Sequence, residues 1–233
     1  MRELLNFNFR NLSVMPRRGR EQAPQSAFRD PMCYLLMSLV VVKKAAGMVT
    51  IQSKFIGDFK LGDNVCYNLD VVGVLYRRFN LAEGAERRLL CKPIIVLLAS
   101  VVEAALYDFH KRVKLFTVEG VKNLTTETIN YIRGAKIDDF AKYIDSAKRQ
   151  KLFGSADDEF YEKMHDLRKL RNRIHIQNEK NAAPRDERNA FTPEAKRRAE
   201  QVVEKTLKTL SAKFSRDHDQ VGDFILPWTA HFD

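Results

Sequence analysis

The most hydrophobic stretch of the chain runs from Arg87 to Lys114 and reads RRLLCKPIIVLLASVVEAALYDFHKRVK. Apolar residues cover most faces of a helix with this sequence, which is typical of a helix surrounded by others. We therefore expect it to be the central helix of a bundle, with Pro93 in its first turn or at a kink. Glu103 is the exception, because its carboxylate needs either a partner or a helix face that reaches solvent.

Helical periodicity recurs on both sides of this segment. Apolar residues at three- and four-residue steps predict helices from Asn64 to a break at Asn80, from Lys136 to Gln150 and from Asp157 to Asn178. A last helix has a start signal, with Thr192 as N-cap and Pro193 at the first helical position. The segment 117–134 is rich in Thr and Gly, and 179–191 is expected to be a polar loop. These elements predict an all-α fold, a helical bundle over residues 48–216.

The regions outside this bundle are expected to be less regular. Residues 1–47 form a basic extension, and the first 31 of them show no periodicity and predict poor order. The apolar run Met32–Val42 falls well short of the about 20 residues that a bilayer requires, so we predict a buried element and no membrane contact. The stretch Met48–Asp63 favours a short hairpin or an irregular cap. Residues 217–233 form a tail without a predicted structure.

Composition places the chain among soluble globular proteins, with 45% hydrophobic and 30% charged residues. Forty Lys and Arg against thirty Asp and Glu give a net charge of +10. That excess favours an anionic partner such as nucleic acid or an acidic protein, although a solvated basic surface would give the same count. The sequence carries no secretory signal, Cys/His cluster, Gly-rich phosphate loop or hydrolase motif. We therefore expect a cytoplasmic protein without a metal or cofactor.

The residues of greatest chemical interest lie between Met164 and Asn178, in MHDLRKLRNRIHIQN. At about 100° per residue, one helix face there is apolar. Its predicted members are Phe160, Met164, Leu167, Leu170 and Ile174. Polar residues follow one edge of this face at three- or four-residue steps, so their side chains can converge. They are Arg168, Arg171, His175 and Asn178, whereas Lys169 and Arg173 are expected to point away.

This edge has two interpretations. Its arginines and its histidine could be structural, satisfied by buried carboxylates such as Glu103 or Asp108 of the central helix. They could equally form a site for phosphate and proton transfer, because the guanidinium fork binds phosphate oxygens and an imidazole titrates near neutral pH.

The stretch RKLRNRIHIQN, preceded by the hydrophobic helix SVVEAALYDFH and followed by a closing helix, resembles the HEPN superfamily (higher eukaryotes and prokaryotes nucleotide-binding domain). Members are small helical bundles with an Arg, often followed by Asn, Asp or His, and a His after four to six residues. The resemblance covers about 64–214. Six residues separate Arg168 from His175, the upper limit of this spacing, whereas only three separate Arg171 from it. Either Arg168 is the motif arginine, or Arg171 serves in a helix-compatible variant of the motif. Gln177 stands where one subgroup carries a modifiable Tyr.

This resemblance implies a metal-independent endoribonuclease that acts as a homodimer, of the kind found in toxin–antitoxin and phage-defence systems. Its partners would be RNA and, for a toxin, a protein antitoxin. The implied catalytic residues are Arg168, Arg171, Asn172 and His175, and the residues that could support them are Glu103, Asp108 and Asn178. The same resemblance also allows a non-catalytic HEPN-like module for dimerisation or RNA docking, in which the histidine is structural.

Overall fold

The computed structural model describes residues 47–115, 121–155, 159–175, 186–217 and 221–232. Within these ranges the element order is β1 (Met48–Ile51), α1 (Phe59–Leu81), α2 (Gly84–Leu115), α3 (Thr126–Gly134), α4 (Phe140–Arg149), α5 (Glu159–Asn172), α6 (Glu187–Ala190), α7 (Pro193–Phe214) and β2 (Phe224–Thr229). The prediction of an all-α fold is confirmed in part: most of the described residues are helical, but two of the elements are strands that form a small sheet. The predictions for the N-terminal extension, for Met32–Val42 and for Asn178 concern residues outside the described ranges.

The central helix of the bundle is α2, which packs against α1, α3, α4, α5 and α7. Ile94, Leu98 and Leu106 are fully buried on it, as the continuous apolar sequence predicts. Pro93 lies in the interior of α2 and not in its first turn, because the helix begins at Gly84. Among the described helices, α2 is also long and apolar enough to cross a membrane, but a core helix passes the same test and half of its most apolar window is buried in the protein.

Side-chain caps set the start of several helices. Asp58 accepts a hydrogen bond from the backbone N–H of Leu61 (3.1 Å), so α1 begins at Phe59, earlier than the apolar periodicity indicates. Thr192 accepts from the N–H of Ala195 (3.2 Å), which confirms the predicted start of the last helix. The carboxylate of Asp58 is thus a start signal that the periodicity alone does not contain.

The expected hairpin at 48–63 is wrong, because β1 pairs with a strand from the C-terminal tail. The two strands are antiparallel, with Val49 opposite Leu226 and Ile51 opposite Phe224. These four side chains are buried, and the indole N–H of Trp228 donates to the buried Glu204 of α7 (3.2 Å). The tail is therefore part of the core, through a strand that local sequence could not pair with β1.

Two helices lie where none was predicted. α3 occupies the end of the Thr- and Gly-containing segment, and α6 lies within the expected polar loop. Thr125 caps α3 by accepting from the N–H of Thr128 (3.3 Å), and Asp186 caps α6 by accepting from the N–H of Arg188 (2.8 Å). Both helices are short, so their periodicity is weak and their capping residues were the better signal.

Candidate functional site

The site predicted from the sequence lies at the carboxyl end of α5, and that helix ends earlier than expected. α5 stops at Asn172 instead of Asn178. The N–H groups of Arg173, Ile174 and His175 each donate to the carbonyl three residues earlier, at 3.1, 3.1 and 3.3 Å. Such bonds belong to tighter turns with about three residues per turn, so the side chains beyond Asn172 leave the register of the α-helix.

This change of register corrects two orientations. Ile174, expected in the apolar stripe, is 56% exposed, and Arg173, expected to point away, is 8% exposed. The rest of the predicted stripe packs on the core: Phe160, Met164 and Leu167 are buried, and Leu170 is partly buried.

Arg171 forms the best-defined contact of the site. Its Nη2 donates to Oε2 of Glu103 on α2 (2.5 Å), and its Nη1 donates to the side-chain oxygen of Asn172 (3.3 Å). Burial raises the pKa of Glu103, while the positive charge of Arg171 acts in the opposite direction. The partner that the Glu103 carboxylate was expected to need is therefore Arg171, and the ion pair links α2 to α5.

Arg168 lies one turn earlier and differs from Arg171. It is half-buried, and within the described ranges it makes no hydrogen bond or ion pair; its Nε is fully buried without a partner. A buried N–H donor without an acceptor is costly, so the position favours an anionic group that could accept from it. Arg168 is therefore the arginine of the pair that is not already occupied by a carboxylate.

His175 is exposed and lies in the turn that follows α5. Its imidazole makes no hydrogen bond to any residue in the described part of the chain. The predicted edge is therefore divided: Arg168 and Arg171 belong to the helix, whereas His175 lies beyond its end, and Asn178 is outside the described residues. Asn172, the other implied catalytic residue, is the last residue of the helix.

Asp108 does not support this site. Its two carboxylate oxygens accept from the backbone N–H groups of Gly57 (2.9 Å) and Asp58 (3.1 Å), and it lies 3.0 Å from Nε of the buried Arg112. These bonds fix the loop before α1. The expected role of Asp108 beside the arginines is thus wrong, and its role is structural.

Sequence reasoning missed two aromatic residues near the site and one contact that joins α5 to α4 beside it. Tyr107 stands one turn after Glu103 on α2, and its ring packs edge-on against that of Tyr143 of α4 (centroids 6.2 Å apart, 70° between planes). Burial raises the pKa of Tyr143, with smaller contributions from Tyr107 and Glu103. His165 of α5 contacts the carboxylate of Asp145 (3.1 Å). The spacing between Glu103 and Tyr107 was a usable signal, but the contribution of α4 required the tertiary packing.

The arrangement offers two guanidinium groups and an exposed imidazole on one helix end, beside a carboxylate that orients one of the guanidiniums. Within the described ranges no three His, Cys, Asp or Glu side chains are grouped so as to hold a metal ion. This chemistry suits the binding of a phosphate group and the transfer of a proton near it. Comparison of the chain with protein-family models, with curated proteins and with solved structures gives no match.

Proposed function

We propose that this chain is a metal-independent endoribonuclease of the HEPN type, acting as a homodimer. The observation that carries the proposal is the ion pair between Arg171 and Glu103. It holds a partly exposed guanidinium in a fixed orientation. One turn earlier lies Arg168, whose Nε has no acceptor among the described residues, and four residues later lies the exposed His175. Residues of these types, held at one helix end, suit the recognition of a phosphodiester.

The proposed reaction is an internal transfer at phosphorus. The 2′-oxygen of a ribose attacks the adjacent phosphate, the P–O2′ bond forms and the P–O5′ bond breaks. His175 accepts the proton of the 2′-hydroxyl, and an acid returns a proton to the departing 5′-oxygen. The products are a 2′,3′-cyclic phosphate and a 5′-hydroxyl, and Arg168 and Arg171 stabilise the charge on the non-bridging oxygens.

A dimer would supply the second proton-transfer group. Each protomer contributes one His175, so the base would come from one copy and the acid from the partner's His175. A nuclease of this kind would act on RNA in the cytoplasm. Its activity would need restraint, which in a toxin or phage-defence effector a protein antitoxin would provide.

Two observations favour a second candidate, a non-catalytic HEPN-like module for dimerisation or RNA docking. Both terminal nitrogens of Arg171 already donate within the chain, and His175 does not share the helix edge with the arginines. In this case the basic residues would hold RNA without cleaving it, and the salt bridge to Glu103 would be purely structural.

Cleavage of a labelled RNA by the purified full chain separates these two candidates. We expect cleavage to continue in EDTA, to yield a 2′,3′-cyclic phosphate and to fall by about 10²–10⁴ in His175→Ala, the usual scale for general acid–base catalysis. His165→Ala serves as the matched histidine control on the same helix, and the exposed Lys169→Ala as the cationic control. Both should cleave at nearly the wild-type rate.

The arginines are tested in the same assay. Arg168→Ala should abolish cleavage while the protein remains folded, and Arg171→Lys should keep the charge beside Glu103 but lose the bidentate fork. RNA binding without cleavage in the wild-type protein, or cleavage that persists in folded His175→Ala, would instead support the docking module.

A further inference from the structure

One face of α1 is apolar and exposed. Tyr67 is 69% exposed, Val74 55% and Leu81 79%. With Val71 and Arg78 these residues form a stripe whose members are separated alternately by four and three residues. We call it the α1 seam. It lies on the side of the helix away from the residues that α1 buries in the core, which are Gly62, Val65, Leu69, Val72, Tyr76 and Phe79.

Alternation of four- and three-residue steps is the spacing by which one helix packs along another. Single exposed apolar side chains are common on protein surfaces and require no explanation. Here three large apolar side chains recur at intervals of seven residues along about 20 Å of helix. Together they present a continuous surface for a second helix.

We propose that the α1 seam pairs antiparallel with the α1 seam of a second copy, about a two-fold axis. The charges beside the seam favour a second copy of the chain as the partner. Asp70 and Arg77 are exposed, lie on the same flank seven residues apart, and form no ion pair within the described part of their own chain. In an antiparallel pair Asp70 lies near the partner's Arg77, and the two-fold axis repeats the contact.

A parallel two-fold pair would place the two copies of this flank on opposite sides of the interface, where Asp70 and Arg77 do not meet, so only the antiparallel arrangement pairs these charges. In that arrangement Val71 packs against the partner's Val74 at the centre. Tyr67 then lies opposite the partner's Arg78, a pairing that allows a cation–π contact. The seam is therefore complementary to itself in both shape and charge.

A groove between α1 and α2 begins near the amino-terminal end of the seam. Asn64, one turn before Tyr67, lines this groove of about 210 Å³ together with Ser100 and Ala104. Ala104 directly follows Glu103, the partner of Arg171. A second copy seated on the seam would thus reach the neighbourhood of this ion pair; this last step alone rests on the proposed function.

Sedimentation equilibrium of the full chain tests the seam directly. We expect the wild-type protein to sediment at twice 27.0 kDa at micromolar concentration. Val74→Glu should raise the dissociation constant at least about 100-fold, because it places two like charges at the apolar centre of the seam. Leu89→Glu is the matched control, since Leu89 is 73% exposed and lies outside the seam, and it should leave the dimer intact.

Charge reversal tests the orientation. Asp70→Arg should weaken the dimer about tenfold by opposing two arginines, and the double variant Asp70→Arg/Arg77→Asp should restore it to about the wild-type level. In a parallel pair these two residues do not meet across the interface, so neither the single loss nor its rescue by the double variant would be observed. A monomeric wild-type protein, or a dimer that Leu89→Glu disrupts and Val74→Glu does not, would overturn the proposal.

The result is independent of the proposed nuclease. If Val74→Glu is monomeric and still cleaves RNA at the wild-type rate, the seam is correct and the shared active site is wrong. If Val74→Glu remains dimeric, the seam is wrong whatever the cleavage assay shows.

Discussion

A buried histidine on α2 should make the protein less stable in mildly acidic solution. His110 is 1% exposed, with Nδ1 2.7 Å from the carbonyl oxygen of Leu106 and Nε2 2.9 Å from the hydroxyl of Ser146. A carbonyl can only accept, so Nδ1 carries the proton and Nε2 accepts from Ser146. Burial lowers the pKa of His110 from 6.5 to about 4, although the bond to Leu106 acts in the opposite direction.

The sign of the effect follows from where the proton binds. Below about pH 6.5 the unfolded chain takes up a proton at His110 and the folded chain does not, so the stability contributed by His110 is lost as the pH falls from about 6.5 to about 4. Since one pKa unit is worth about 1.4 kcal/mol, the full loss is about 3 kcal/mol. About 1 kcal/mol of this stability is lost between about pH 7 and about pH 5.5, a range in which most carboxylates remain ionised.

Urea unfolding of the wild-type protein and of His110→Gln, each at pH 7 and pH 5.5, measures this contribution. The variant should be less stable at both pH values, because it loses a well-packed ring. Its free energy of unfolding should nevertheless fall by about 1 kcal/mol less than that of the wild type between the two. An equal fall in both proteins would refute the assignment of His110 as a buried neutral imidazole.

Two further predictions concern stability. Gly62→Ala should destabilise the protein by about 1–3 kcal/mol, because the added Cβ would overlap the side chain of Val221. Gly73→Ala in the same helix has open space and should raise the free energy of unfolding by about 0.5–1 kcal/mol. Thermal unfolding of the two variants tests the comparison. A double-mutant cycle of Glu103→Gln and Arg171→Ala, followed by urea unfolding, should give a coupling free energy of about 0.5–1.5 kcal/mol, because both partners are partly exposed. Additive effects of the two substitutions would show that the ion pair contributes nothing to stability.

The central helix and its neighbour were predictable because local sequence determines them. The run around Leu98 is apolar on most of its faces, which predicts a helix surrounded by others, and the stripe from Val65 to Phe79 has clear helical periodicity. The Glu103 carboxylate was recognised as needing a partner for the same reason. In each case the residues that determine the helix or the need for a partner lie within about one or two helical turns of each other.

The features that escaped prediction depend on contacts between distant parts of the chain. β1 meets β2 only through the folded core, and no property of Val49 indicates that its partner is Leu226. Asp108 looked like a neighbour of the arginines because it shares α2 with Glu103. The packing of the loop at Gly57 against α2 gave it a different role.

The end of α5 has the largest consequence for function. An ideal helix through Asn178 would have placed His175 on the same edge as Arg168 and Arg171, and one protomer could then have held the whole site. The tighter turn after Asn172 instead leaves the His175 imidazole exposed and, within the described ranges, without a hydrogen-bond partner. Proton transfer requires an oriented imidazole, and no described residue orients that of His175; bound RNA or the second copy could do so. If it comes from the second copy, Val74→Glu should lose its dimer and its cleavage together, although the α1 seam contains no residue of the candidate site.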